Sequence, residues 1–397
     1  MPQLHQPEVV SLGCRLNIAE SETIRAMLAG RDVAVVNSCA VTNEAVKQTR
    51  SAIRRLRRAR PEAELVVTGC AAEIDPAAFR AMPEVDRIVG NLEKLRPEHW
   101  GATAAPVERF EGHARGFVEV QNGCDHRCTF CAIPFGRGPS RSVPAGAVVE
   151  RVAGLAAAGH REVVLTGVDL TSYGHDLPGR PTLGMLVERV LRFVPELTRL
   201  RLSSLDCIEI DDRLFDLITG ESRVMPHLHL SLQAGDDLVL KRMKRRHSRA
   251  QSVAAVERIK TGRPDVAIGA DLIAGFPTED EAMFGNTLAL IDDCDVVHAH
   301  IFPYSPRAGT PAARMPAVAP DMRRERAARL RERAAARKAA WLASLVGTEQ
   351  FVLVERPGDR GHAASFAEVR LPPSPPGTIQ RVRVARATDT HLEGVFT

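Results

Sequence analysis

Short β-branched runs, each followed by a stretch of helical periodicity, recur from the amino terminus to about Tyr304, and this alternation restricts the fold more than any other feature. Strands separated by helices pair in parallel and need both faces of their sheet covered, so the chain reads as α/β. In the first part Glu8–Leu12, Asp32–Val36 and Glu64–Thr68 have strand character. Between the last two, Ala45–Arg60 sets Val46, Thr49, Ile53 and Leu56 on one stripe before Pro61, which predicts a helix. Six further runs follow: Gly116–Gln121, Glu162–Val168, Arg199–Ser204, His227–Gln233, Val266–Ile273 and Val296–Tyr304. Six strand–helix units fall short of the eight that close a barrel and predict an open, partial parallel one. An Arg/Ala-rich helix over Asp321–Ala340 comes next. Beyond it Gln350–Arg356, Phe366–Leu371, Ile379–Ala385 and His391–Phe396 read as short strands between Pro/Gly turns, a small all-β module. The domain boundaries expected are 1–100, 110–345 and 347–397, with Trp100–Arg115 as a linker.

At 44% apolar and 26% charged residues the 397-residue chain can bury ordinary cores. No apolar run reaches the roughly 18 residues of a membrane span, and Met1–Cys14 lacks the pattern of a signal peptide. The expected location is therefore the cytosol, where eight cysteines stay reduced and serve metal or redox chemistry rather than a disulfide framework. A formal net charge of +4 permits an anionic partner without demanding one. The sequence holds no G-x-x-x-x-G-K-[ST], no G-x-G-x-x-G after a strand, no G-x-S-x-G and no H-E-x-x-H, which argues against a P-loop ATPase, a simple dehydrogenase, a serine hydrolase and a zincin.

The cysteines have a pattern. Cys14 in SLGC, Cys39 in VNSC and Cys70 in TGC each follow a strand of the first part. Carboxyl ends of parallel strands share one edge, where open α/β sheets bind ligands, so these three should meet in space. The bland alternative is three separately buried thiols. Cys124, Cys128 and Cys131 directly follow a strand with the spacing C-x-x-x-C-x-x-C. A four-iron cluster normally takes four thiolates; three leave one iron open to a small molecule, as catalysis requires. The rival is structural zinc with His126 as fourth ligand. In the strand His227–Gln233, Leu228, Leu230 and Leu232 should face outer helices, and His229, Ser231 and Gln233 the lumen. There His229 is either functional or hydrogen-bonded filler.

With Phe130 as its aromatic, C-x-x-x-C-x-aromatic-C resembles the radical S-adenosylmethionine signature. SLGCRLN, VNSCAVT and TGCAAE resemble the amino-terminal domain of the methylthiotransferases. TGVDLTSYG, RLRLSSLD, HLHLSLQAGDD, DLIAGFPTEDE and HIFPYSPRAGT resemble the blocks along their barrel, and the last module is similar to their RNA-binding TRAM domain. Within that family VNSCAVTNEAVKQTR, IPFGRGPSRS and GHAASFAEVRL are similar to the branch that methylthiolates N6-threonylcarbamoyladenosine at position 37 of tRNA.

The resemblance implies a small flavodoxin-like first domain, a partial (βα)6 barrel and a short TRAM-like module. It implies that Cys124, Cys128 and Cys131 hold a 4Fe-4S cluster whose open iron chelates S-adenosylmethionine. One electron then yields a deoxyadenosyl radical that attacks the adenine C2–H. Phe130, Ser203, Gln233 and Asp271 are the implied contacts to that cofactor. Cys14, Cys39 and Cys70 would hold a second 4Fe-4S cluster that delivers sulfur, and a second S-adenosylmethionine the methyl group. The implied partners are the tRNA anticodon stem-loop and a one-electron reductant such as flavodoxin or ferredoxin, with no membrane. Alternatives are the same chemistry on isopentenyladenosine or on a ribosomal-protein aspartate and, from another class, a non-catalytic metal-stabilised RNA-binding protein. The chain departs from the family between Cys14 and Cys39, where one helix-like segment, Ile18–Leu28, stands and a strand-bearing insertion is missing. Asp206, Cys207, Ser231 and Ala234 also replace more usual residues.

RNA binding needs clustered cations. Arg50, Arg54, Arg55, Arg57 and Arg58 form one cluster; Lys241, Arg242, Lys244, Arg245 and Arg246 a second; Arg323, Arg324, Arg326, Arg329, Arg331, Arg333 and Arg337 a third. Each could equally be a solvated helix face. Aromatics at 4% favour shape and phosphate readout with one splayed base over extensive stacking. Arg137 and Arg141 could face S-adenosylmethionine or phosphate, or only loop ion pairs, and Cys207 and Cys294 read as structural.

Overall fold

The computed structural model describes residues 7–102, 110 and 112–396; most of the expected linker, 103–109 and 111, and the first six residues lie outside them. The first domain runs β1 (Glu8–Ser11), α1 (Arg15–Met27), β2 (Val33–Ser38), α2 (Asn43–Ala59), β3 (Glu64–Gly69), α3 (Cys70–Ile74), α4 (Pro76–Arg80) and β4 (Arg87–Ile88). Its four strands are parallel and lie in chain order. Alternation along β2 sends Val33 and Val35 to one face with Ile24, Met27 and Leu28 of α1. Ala34 and Val36 go to the other face with Ile53 and Leu56 of α2. The strands thus advance in one direction while α1 and α2 cover opposite faces. The two crossovers therefore have opposite hands, and one breaks the right-handed rule that holds in about 98% of such units. Only a short link separates α1 from β2.

The second domain runs β5 (Arg115–Glu119), β6 (Gln121–Asn122), α5 (Ile133–Arg137), β7 (Arg141–Ser142), α6 (Ala145–Ala157), β8 (Glu162–Thr166), α7 (Leu183–Phe193), β9 (Arg199–Leu202), β10 (Ser204–Leu205), α8 (Asp212–Gly220), β11 (His227–Gln233), α9 (Asp237–Met243), α10 (Arg249–Gly262), β12 (Ala267–Ala274), α11 (Glu281–Asp293), β13 (Val296–Pro303) and α12 (Pro320–Ser344). Two parallel sheets, β5-β8-β9 and β10-β11-β12-β13, meet where one run is interrupted at Ser203. Together they give the six-unit open barrel expected. Leu228, Leu230 and Leu232 are buried in the main core, as the alternation predicts. Arginines of α12 are spent on holding that helix: Arg326 pairs with Glu279 at 2.9 Å, Arg329 with Glu281 at 2.7 Å and Arg333 with Asp292 at 2.6 Å, while Arg337 pairs with Asp295. These residues of the third basic cluster are thus fasteners rather than a free phosphate surface.

The last module runs β14 (Glu349–Glu355), β15 (Arg360–His362), β16 (Glu368–Arg370), β17 (Ile379–Ala387) and β18 (Leu392–Phe396), closed into a barrel in the order β14-β15-β16-β18-β17. Phe366, expected to open a strand, stands instead at the tip of a turn with φ +68°. That turn plugs the amino-terminal mouth of the larger barrel. The Phe366 ring stacks on His227 and His362 at 5.0 and 4.4 Å between centroids, and the guanidinium groups of Arg15, Arg115 and Arg201 lie 4.9–5.5 Å from it. Beneath it Glu162 gathers Arg115, Arg199 and Arg201 at 2.5, 3.7 and 3.0 Å. Arg199 and Arg201 also donate to the module's Phe351 and Ala364 carbonyls, and Arg115 pairs with Glu355.

Candidate active site and the two cysteine triads

The carboxyl-terminal mouth of the barrel opens on a cavity of about 370 Å³ lined by Cys124, Cys128 and Cys131 and, from the first domain, by Cys14. All eight cysteines are unpaired. Cys14 caps α1, Cys39 follows β2 and Cys70 begins α3, so the three sit at the carboxyl ends of adjacent strands. Their approach is tight: a Cβ added at Gly13 would stand 2.8 Å from the Cys39 sulfur. Burial pushes the Cys39 thiol up, and the nearby Cys14 and Cys70 add to it. Burial, reinforced by the Asp169 carboxylate, takes Cys124 up to about 12, and burial takes Cys131 to about 11. Two sets of converging thiols are the donor set that a thiolate-ligated cluster needs.

The triads share a support. α5, which begins just after Cys131, packs on α3 so closely that a Cβ at Gly136 would meet the Cys70 Cβ at 3.1 Å. Asn91 donates to the Gly136 carbonyl and lies 3.7 Å from the Cys70 sulfur. Arg137, fully buried, donates to Glu20 at 2.8 Å, to Asn122 at 3.0 Å and to Asn17 at 2.5 Å. It borders the cavity, and its ion pair is with Glu20 of the first domain. Glu20 also accepts from Lys94 at 2.5 Å. Burial would raise its carboxyl, but Lys94 and Arg137 bring it down to about 2.

Of the expected cofactor contacts, Phe130, Gln233 and Asp271 line the cavity. The Phe130 ring stands edge-on to Phe276 at 6.4 Å, and Gln233 ends β11 with φ +67°. Burial would raise the Asp271 carboxyl, yet hydrogen bonds from His229 at 3.0 Å and His300 at 3.2 Å hold it well below the usual carboxylate range. His229 is thereby the positioner of a lumen acid. The Ser203 hydroxyl accepts the N–H of the cavity-lining Gly167 at 3.4 Å, and the neighbouring Ser204 lines the cavity directly. His126, the conceivable zinc ligand, pairs with Asp169 at 2.8 Å. Cys207 and Cys294 are buried in the main core.

Asp169, Asp206 and Arg245 also line the cavity; the sequence marked Arg245 only as part of a basic cluster and Asp206 only as a departure from the family pattern, and did not mark Asp169. Arg245 reaches the Cys128 sulfur at 3.7 Å while bound to Asp206 and the Ser231 carbonyl at 3.0 and 2.9 Å. Asp169 offered a signal, because it follows β8 at the barrel's carboxyl end. Of the other basic clusters, Arg57 is taken up by Asp86 and Arg246 by Glu209, while Arg55, Arg58, Lys241 and Lys244 are exposed.

A family model described as the Radical SAM superfamily matches residues 118–291, and one described as Uncharacterized protein family UPF0004 matches residues 7–90. The threonylcarbamoyladenosine tRNA methylthiotransferase MtaB of Rickettsia prowazekii is 47% identical over 383 residues, 92% of this chain and 91% of that protein. The chain belongs to the radical SAM tRNA methylthiotransferase family. A Thermotoga maritima protein of the same name is 34% identical over 87% of the chain and 86% of its own length. The tRNA-2-methylthio-N(6)-dimethylallyladenosine synthase of Erythrobacter litoralis is 33% identical over 90% and 89%. In fold, the chain is similar to the radical S-adenosylmethionine methyltransferase TsrM of Kitasatospora setae (TM-score 0.53, 17% identity), covering 71% of this chain and 64% of that one. Membership brings with it a 4Fe-4S cluster and S-adenosylmethionine. Among the described residues no helix is long and apolar enough to cross a membrane.

Proposed function

We propose that this methylthiotransferase replaces the C2 hydrogen of N6-threonylcarbamoyladenosine at position 37 of tRNA with a methylthio group. The observation that carries the two-triad form of this reading is Cys14, which lines the same cavity as Cys124, Cys128 and Cys131. Cys124, Cys128 and Cys131 would hold a 4Fe-4S cluster that would supply the electron for cleaving S-adenosylmethionine, and Cys14, Cys39 and Cys70 would hold a second that would supply the sulfur. The chain's own share is placement and exclusion of water. Asp271, fixed ionised by two imidazoles, offers an acceptor for a hydroxyl or ammonium of the cofactor. Phe130, Ile273 and Phe302 give the cavity an apolar wall, and the Phe366 turn closes the far mouth of the barrel against solvent. In this reading the enzyme works in the cytoplasm with the tRNA anticodon stem-loop and a one-electron reductant.

The test is mass spectrometry of tRNA nucleosides from cells with and without the gene. Loss of the methylthio nucleoside with accumulation of N6-threonylcarbamoyladenosine is expected. An unchanged nucleoside alongside loss of the methylthio form of isopentenyladenosine would move the substrate to the other branch.

A further inference from the structure

Arg137 bridges the two triads through a buried network, and we infer that it sets the distance between them as a positioning residue for sulfur transfer. The inference rests on the two-cluster reading above. Its guanidinium ends α5, six residues beyond Cys131, and is buried against the first domain. One of its amino groups donates to Asn17. The Asn17 amide in turn donates to the Leu12 carbonyl at 2.6 Å and the Ser38 carbonyl at 3.1 Å, the backbone leading into Cys14 and into Cys39. The other amino group spans Glu20 of α1 and Asn122 of the barrel. Cys70 is held to the same helix by Asn91 and by the close packing of Gly136. Each cysteine loop of the first triad is thus at most two hydrogen bonds, or one packing contact, from the helix that follows the second.

The arrangement exceeds what stability asks for. Glu20 already has Lys94 as counter-charge, so Arg137 is not needed to neutralise it. What Arg137 adds is a planar fork of donors that fixes direction as well as charge, which the three rotating donors of a lysine cannot reproduce. A carbon radical formed at one triad must meet sulfur held at the other, and such reactions lose about a hundredfold for a misplacement of ~1 Å. Cleavage of S-adenosylmethionine needs only the second triad and does not depend on that distance.

The experiment uses the full chain, reconstituted anaerobically with iron and sulfide and reduced by dithionite. The substrate is tRNA isolated from cells lacking the gene. Arg137→Met and Arg137→Lys are compared with wild type for bound iron, for 5′-deoxyadenosine formed and for methylthiolated nucleoside. Arg137→Lys keeps a cation beside Glu20 and so guards against a simple folding failure. The expected result is wild-type iron and 5′-deoxyadenosine within a few fold. Product per 5′-deoxyadenosine should be about a hundredfold lower in Arg137→Met and intermediate in Arg137→Lys. An unchanged ratio in both variants overturns the inference. So does a parallel fall of both products, or loss of iron, since Arg137 would then hold a triad together rather than space two. If wild type itself binds one cluster or makes no product, the functional reading fails first, and that outcome is distinct from the others.

Discussion

Gly69→Ala tests the geometry of the first triad most sharply. Gly69 ends β3 immediately before Cys70, with φ +92° and ψ −175°, a region open essentially to glycine. Holding alanine there costs about 1–3 kcal/mol of backbone strain. The steric demand is larger. The new Cβ would lie 2.4 Å from the Ser38 carbonyl oxygen, 2.5 Å from the Ser38 nitrogen and 2.6 Å from the Asn37 side-chain oxygen. Non-bonded heavy atoms settle near ~3.5 Å, so the ends of β2 and β3 must part by roughly 1 Å. Ser38 and Gly69 are register partners, and Ser38 also caps α3 by accepting the N–H groups of Ala71 and Ala72. The displacement therefore falls on Cys39 and Cys70 together. Gly154→Ala, inside α6 with open space around it, is the control and should be neutral or slightly stabilising. After anaerobic reconstitution Gly69→Ala is expected to bind half the wild-type iron, to cleave S-adenosylmethionine at a near-normal rate and to make no methylthiolated nucleoside. Full iron with normal product would show that this close approach does not set the triad.

Other outcomes follow from the same structure. Cys124→Ala should abolish cleavage of S-adenosylmethionine, whereas Cys39→Ala should spare it and stop methylthiolation; intact methylthiolation in Cys39→Ala would refute the two-cluster assignment. Glu162→Gln strips Arg115, Arg199 and Arg201 of their shared counter-charge, a loss of about 3–5 kcal/mol for a broken buried pair. An unchanged unfolding temperature in calorimetry would contradict it. Docking of the last module should weaken in acid. Burial pulls His298 from 6.5 down to about 3, so the unfolded chain takes up a proton that the folded one refuses, and stability falls as the pH drops from about 6.5 toward 3. Burial would raise Glu355, but His362 and Arg115 depress it from 4.5 to about 2, which adds a loss between those values. Hydrogen exchange of β14 and β15 against pH reads both, and flat protection down to pH 4 would sink the argument.

What could be read from the chain alone was whatever a local pattern encodes. The alternation of Leu228, Leu230 and Leu232 with His229, Ser231 and Gln233 survives folding because neighbours on both faces demand it. The strand-then-cysteine placement likewise needs only parallel pairing to bring Cys14, Cys39 and Cys70 together. Long-range partners were invisible. Nothing near Arg137 points to Glu20, well over a hundred residues away, and the acids that absorb the arginines of α12 lie on or beside α11. The strand break at Ser203, which brings Ser204 to the cavity wall, has no local signature either. Phe366 looked like strand because an aromatic before Ala-Glu-Val fits that pattern, while its role as a plug depends on three arginines and two histidines of the other two domains.

The first domain raises a sharper question: how a four-stranded sheet with one crossover of the rarer hand assembles its triad. Handedness decides which face a helix covers. It does not decide which strand ends are neighbours. Val10 pairs with Val36 and Ser11 with Asn37, Asn37 with Thr68 and Ser38 with Gly69, so the three turns that carry cysteine remain side by side whichever way α1 passes. What the unusual hand changes is the position of α1. That helix packs Ile24, Met27 and Leu28 on the sheet, while Ala19 joins the core of the barrel and Asn17 and Glu20 meet Arg137. One helix therefore supplies a sheet cover, a domain interface and, at its capping residue, Cys14. Right-handedness prevails because strand twist makes that packing cheaper. Here α1 also carries the seam between the domains, and that seam sets the first triad against the second.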